Sequence, residues 1–165
     1  MGAYISVPVW ERTIAQRYGL KGQRCLGCGA VLFPPKVVCP ECGGHSFEAA
    51  SLSGRGRIYS FTVIAGGGAP PEFEWQANAV GSYVVGLVEL EEGPRIIAQI
   101  VGVDPRAAMA APLFEDSAFE DSGGSSGDKG KRSLIGLPVK AVIRKVYEQE
   151  GVIRYGYKFK VVSEV

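Results

Sequence analysis

Histidine is almost missing from this chain: His45 is the only one, beside four cysteines. The Gly-x-Ser-x-Gly spelling at Gly123 to Gly127 falls in a Ser- and Gly-rich stretch with no apolar strand before it, so it makes no elbow, and the run Gly66-Gly67-Gly68 lacks the lysine and following helix of a phosphate-binding loop. The common nucleophile and base pairings therefore have no residues to build on, and scattered carboxylates are the one acid-base resource left. The expectation is a protein that is not an enzyme in its own right. An excess of one charge is missing too. Lys+Arg 18 against Asp+Glu 17 leaves a net charge of +1, without the basic surplus expected of binding by counterion release. No stretch approaches the ~20 apolar residues that span a bilayer, and residues 1–20 show no basic start followed by an apolar run. The expectation is a soluble, cytoplasmic chain with no membrane partner.

What is there begins with Cys25-Leu26-Gly27-Cys28 and Cys39-Pro40-Glu41-Cys42. Each pair has the spacing at which one tight turn offers two sulfurs to a single ion, and two such turns complete a tetrahedral shell. Gly29 and Gly43-Gly44 follow the second cysteine of each pair, where the turn calls for a positive φ and backbone amides facing sulfur. The short stretch Gly29 to Val38 between the pairs suits a rubredoxin-like ribbon. Cys25, Cys28, Cys39 and Cys42 are thus the expected ligands of a structural zinc, with no open position to activate water. Iron suits the same shell, and softness and geometry do not separate the two metals. Disulfides are disfavoured in a chain expected to live among reductants. His45, just beyond the second pair, is expected to be an exposed loop residue.

Upstream, Pro8 suits a first helical position, and Trp10, Ile14 and Tyr18 recur at four-residue intervals until Gly19. So short a helix is marginal alone, and its aromatic ridge must pack on the body or meet a partner. Between the cysteine pairs, Val31-Leu32-Phe33 and Val37-Val38 flank Pro34-Pro35 and read as a hairpin. From Gly54 the apolar pattern has period two. Five strands are expected: Arg57 to Ala65, with Tyr59, Phe61 and Val63 on one side, then Ser82 to Glu91, Arg95 to Gly102, Leu137 to Tyr147 and Val152 to Val162. On the last, Ile153, Tyr155, Tyr157, Phe159 and Val161 alternate with Arg154, Gly156, Lys158 and Lys160, predicting one apolar and one solvated basic face. The connection from Asp104 to Ser133 starts alanine-rich, enough for a turn or two of helix over Arg106 to Phe114. Its part from Glu115 to Ser133 is Ser, Gly and charge, a composition that predicts mobility. The predicted fold is mainly β: an N-terminal helical segment (1–24), a short zinc ribbon (25–50) and a five-stranded OB-fold barrel (51–165) with an insertion near 115–133.

The cysteine pairs, Phe33-Pro34-Pro35, the run Gly54-Arg55-Gly56-Arg57-Ile58-Tyr59-Ser60-Phe61-Thr62-Val63 and Ala69-Pro70 together resemble a known family. It is the family called domain of unknown function 35, in which a helical segment and a rubredoxin-like zinc ribbon precede an OB-fold. The resemblance covers nearly the whole chain. It implies a non-catalytic accessory or scaffold protein that binds a thiolase or hydroxymethylglutaryl-CoA synthase-like enzyme and assists in acyl-CoA handling. Where the family often has Pro-Tyr at the second barrel strand, this chain has Ser82-Tyr83.

A CoA ligand would need cations, which Arg55, Arg57, Lys140, Arg144, Arg154, Lys158 and Lys160 could supply, although a solvated sheet face accounts for them equally. No residue is assigned to a cofactor site. The competing class is a nucleic-acid module, in which Tyr155, Tyr157 and Phe159 would stack bases. Their place on the face opposite Arg154, Lys158 and Lys160 disfavours it.

Overall fold

The computed structural model describes residues 7–69, 73, 78–79, 81–110, 133–149 and 151–162. Of the insertion expected to be mobile near 115–133, residues 115–132 lie outside them, whereas Ser133 lies among them and is buried; Trp75 and the side chain of Trp10 also lie outside. The N-terminal segment forms two short helices, α1 (Val7–Arg12) and α2 (Ile14–Gly19), where one was expected. The break has a local cause. Thr13 turns its hydroxyl back to donate to the Val9 carbonyl at 2.9 Å, a contact that bends helices. The stop falls at Leu20, which caps α2 in the left-handed region (φ 45°) and is itself buried.

A three-stranded antiparallel sheet follows, made of β1 (Lys21–Cys25), β2 (Val31–Leu32) and β3 (Phe47–Ser51) in the order β2-β1-β3. The expected hairpin is corrected here. Val31–Leu32 pairs with β1, while Val37 and Val38 lie outside any strand and are 83% and 47% exposed. β1 instead takes β3 along its other edge, with Lys21 opposite Ser51 and Cys25 opposite Phe47.

The remaining strands close a barrel in the order β4-β5-β6-β8-β7, the five strands expected: β4 (Arg55–Ala65), β5 (Ser82–Leu90), β6 (Arg95–Val101), β7 (Pro138–Gln149) and β8 (Val152–Val161). A 3-10 turn, Gly66–Gly68, follows β4, and α3 (Pro105–Ala110) supplies the short helix expected after β6. Inside, Ile58, Val84, Val88, Leu90, Ile96, Ile100, Val139 and Phe159 form one buried cluster. The face assignment of β4 is corrected at its start. A register shift between Ile58 and Ser60 puts Ile58 inside at 1% exposure and turns Tyr59 out at 48%, after which Phe61 and Val63 pack on the core. Such a bulge adds a residue and flips the alternation.

The ribbon is seated on the barrel by apolar contacts. Leu20 and Leu52 belong to the barrel's own cluster, and Phe33, first of the Phe-Pro-Pro segment, meets Tyr157 edge to face at 6.1 Å. Tyr157 in turn meets Phe159 at 6.1 Å, so a line of rings runs from the ribbon to the centre of the barrel. Gly54 lies beside this joint with φ +71°, its carbonyl accepting from the Ala141 amide at 2.7 Å.

Candidate metal centre

The two cysteine pairs fold into one repeated hydrogen-bond pattern. In the first turn the Gly29 amide donates to the Cys25 carbonyl and the Cys25 amide to the Ala30 carbonyl, each at 2.9 Å. In the second, Gly43 donates to Cys39 and Cys39 to Gly44, again at 2.9 Å. Gly29 and Gly43 hold φ of 77° and 70°, the left-handed conformation the sequence predicts at each. Each turn keeps one sulfur inside and one outside: Cys25 and Cys39 are 1% exposed, whereas Cys28 and Cys42 face solvent.

The turns face each other, so all four sulfurs lie within 4.8 Å of one another. Cys25 to Cys42 and Cys28 to Cys39 are each 3.6 Å, far beyond a disulfide bond of about 2.05 Å. Zinc-sulfur bonds of about 2.3 Å would set the edges of a sulfur tetrahedron near 3.8 Å. The donor set therefore fits a single soft cation in number, chemistry and spacing. The electrostatics split the cluster, favouring thiolate at Cys25 and opposing it at Cys28 and Cys42. The Cys28 amide, aided by hydrogen bonds from other members of the cluster, brings the Cys25 thiol down to about 7. The Ala30 amide pulls Cys28 the same way, but sharing among the thiols and burial win, and Cys28 is pushed up to about 12. Four thiols so close cannot all ionise without a cation among them. Gly27 and Gly44 crowd the cluster from outside, since a Cβ on either would stand 3.5 Å or 3.3 Å from the Cys42 sulfur. His45 is exposed, as expected, and is not among the four grouped ligand side chains.

The basic residues separate into two sets. Arg55 on β4 faces Lys140 on β7, and Lys140 faces Lys160 on β8, so three exposed cations stand in a row across three strands. Like charges directly opposite repel, and the row borders a hollow of about 760 Å³ that Arg55, Arg57 and Lys140 line. Lys158 departs from the solvated face expected of it. It is 6% exposed, in a hollow shared with Arg17 of α2, Phe73, Ile97 and Gln99 of β6 and Val146 of β7, and burial lowers its affinity for a proton. Of the three aromatics on β8, Phe159 is fully buried, Tyr157 is half-buried and Tyr155 is 44% exposed, so they offer no continuous stacking surface. The aromatic that sequence reasoning left unplaced is Phe73, which meets Tyr83 at 6.1 Å and Tyr147 at 6.4 Å against the barrel wall.

A four-sulfur ribbon seated on a five-stranded barrel is the architecture of a zinc-ribbon and OB-fold protein. Residues 12–48 match the family model described as the ChsH2 rubredoxin-like zinc ribbon domain, and residues 50–113 match the ChsH2 C-terminal OB-fold domain. The chain belongs to the DUF35 family: it is 38% identical over 155 residues to a DUF35 domain-containing scaffold protein of Methanocaldococcus jannaschii, covering 92% of this chain and 88% of that one. It is also 41% identical over 83 residues to the benzoylsuccinyl-CoA thiolase subunit BbsA of Thauera aromatica, which is 50% of this chain and 52% of the subunit. Among solved structures it is similar to a chain of an Ltp2-ChsH2(DUF35) aldolase, with a TM-score of 0.57, 26% identity and coverage of 97% and 98% of the two chains. Among the described residues no helix is long and apolar enough to cross a membrane.

Proposed function

We propose that this chain is a non-catalytic scaffold that binds a thiolase-type or hydroxymethylglutaryl-CoA synthase-like enzyme and assists in handling its acyl-CoA. The observation that carries the reading is the likeness over nearly full length to a DUF35 scaffold protein, beside relatives named as a thiolase subunit and as part of an aldolase. In this reading Cys25, Cys28, Cys39 and Cys42 hold one zinc, whose work is to fix the two turns. A shell filled by sulfur leaves the metal no position for substrate. The divisions are a helical segment to residue 24, a ribbon to residue 50 and a barrel beyond. The partner's footprint draws on apolar side chains already exposed: Ile14 and Tyr18 on α2, and Leu26 and Val37 on the ribbon at 61% and 83%. The cation row Arg55, Lys140 and Lys160 suits the phosphates of a CoA held at the edge of such a complex.

The test is purification of the tagged chain from its native cells at low salt, followed by sizing and mass spectrometry. The expected result is a thiolase-type enzyme in fixed ratio, lost on zinc removal, and no turnover of acyl-CoA by the isolated chain. A chain that elutes alone from native cells, or that turns over an acyl-CoA unaided, overturns the reading.

A further inference from the structure

The barrel has a seam. β6 and β8 run parallel but pair only through Ile100 with Phe159 and Val101 with Lys160. Below those two rungs the strands part around a slot of about 270 Å³, with Ile97 and Gln99 on one side and Gly156 and Lys158 on the other. The volume lies just under the roughly 300–1,000 Å³ of ordinary ligand pockets, which leaves room for a group of about ten non-hydrogen atoms.

Lys158 and Lys160 alternate with Phe159 on β8 and so share one side of the strand, yet their surroundings differ. Lys160 is exposed at the end of the cation row. Lys158 is 6% exposed, and among the described residues it makes no hydrogen bond or ion pair. Along the slot it is surrounded by the apolar Phe73 ring, Ile97, Ala98 and Val146, by the neutral Gln99 and Tyr157, and by Arg17 as a second cation. Burial loosens its hold on a proton. An amine in such a place is less hydrated and more often neutral than one in water, and the neutral nitrogen is the nucleophile. Ile97 at the slot is 72% exposed, so the way in from solvent is open to a small electrophile.

We propose that Lys158 is a modification site, whose amine takes a short acyl group from a thioester while the slot houses the acyl chain. The Nζ lone pair attacks the thioester carbonyl, the bond from carbon to nitrogen forms as the bond from carbon to sulfur breaks, and the thiol leaves with the proton that nitrogen gives up. The product is an amide that water does not reopen, so each chain reacts once and nothing turns over. The choice of a thioester as donor rests on the reading of this chain as a handler of acyl-CoA; the reactivity of the amine rests on the slot alone.

The test uses the full-length, zinc-loaded chain and the butyryl thioester of N-acetylcysteamine, a donor without the phosphates that would draw CoA to the other cations. Fragment-ion mass spectrometry separates the two lysines on either side of Phe159. Lys158 is expected to be acylated about tenfold faster than Lys160 at neutral pH, its rate levelling off at a lower pH, and the lead should vanish in concentrated urea. Ile97→Glu, at an exposed position, sets a carboxylate on the lining and should cut the rate at Lys158 about tenfold while leaving Lys160 as it was. The comparison with urea needs no variant and keeps the test open should Ile97→Glu fail to fold. Lys160 reacting as fast as Lys158, a lead that survives urea, or a lead undiminished in Ile97→Glu overturns the proposal. The scaffold reading stands or falls separately: a chain that brings an enzyme out of native cells but shows no preference for Lys158 overturns this proposal alone, and a chain acylated at Lys158 that brings none upholds it and overturns that reading.

Discussion

The ribbon and the barrel are held together by different physics. In the barrel, eight apolar side chains from all its strands meet at a single centre, with Val88 and Phe159 wholly out of contact with water. In the ribbon sheet, the buried residues of β1 are Gly22 and Cys25, and the residues of β2 and β3 are half-buried or exposed. So little apolar area cannot offset the ordering of its chain, and the four sulfurs stand where a core would be. The contrast teaches that this protein has one unit stable by burial and another stable by ligation, joined through Leu20, Leu52 and Phe33.

The comparison breaks most sharply on metal removal. Structural zinc contributes apparent energies of about 10–16 kcal/mol in small ribbons. A strong chelator, or Cys39→Ser, should abolish amide protection across Lys21–Ser51 while leaving that of β5 and β8 intact, as read by hydrogen exchange. Equal loss in both units would show that the barrel leans on the metal as well. The converse experiment is Phe159→Ala. Emptying the centre of the barrel should cost about 3–5 kcal/mol in denaturant unfolding, with bound metal per chain unchanged. The joint responds less. At Gly54 a Cβ would stand 2.8 Å from that of Ala141 and 3.1 Å from a Leu20 methyl, at φ +71°. Gly54→Ala should therefore destabilise by roughly 1–3 kcal/mol and raise exchange at Leu20 and Leu52 before it does so at Val88.

The smallest effect is at Lys158, and its sign follows from linkage. The folded chain binds this proton less tightly than the unfolded one, whose lysine titrates at the ordinary 10.5. Between the lowered folded value and 10.5 the unfolded state holds more protons, so stability rises with pH across that window, and the full penalty is present below it. Arg17 lies along the same hollow, and burial holds the Tyr157 hydroxyl above its ordinary range. Lys158→Met should melt above the parent at pH 7, with the gap narrowing toward pH 10.5. A constant gap would mean the gain is packing rather than charge.

The sequence made legible whatever depends on neighbours in the chain. Paired cysteines with glycine behind them predict the turns, period-two runs between turn residues predict the five strands, and the alanines after Asp104 predict a helix. What it hid depends on distant contacts. Phe47–Ser51 carries two alanines and a glutamate and has no strand signal of its own; it is a strand because β1 offers an open edge. The bulge at Tyr59 is invisible in an unbroken alternation, yet it decides that Ile58 and not Tyr59 enters the core. Lys158 follows the polar beat of β8, and neighbours distant in sequence, among them Arg17, Phe73 and Ile97, take it out of water. Of the candidate site, the four ligand positions were readable at once, and the slot beside Lys158 was not readable at all.

Leu20 hands the chain to the ribbon and Leu52 receives it back, and the Leu52 amide donates to the Leu20 carbonyl at 3.2 Å. Entry and exit are thus adjacent points on one backbone ladder, which makes the metal-bearing module a cassette. It can be excised and its ends spliced by a tight turn, or exchanged for a knuckle from another family member, without rerouting a single barrel strand. Chimaeras cut at these two leucines offer a direct way to ask which half of the molecule chooses its company.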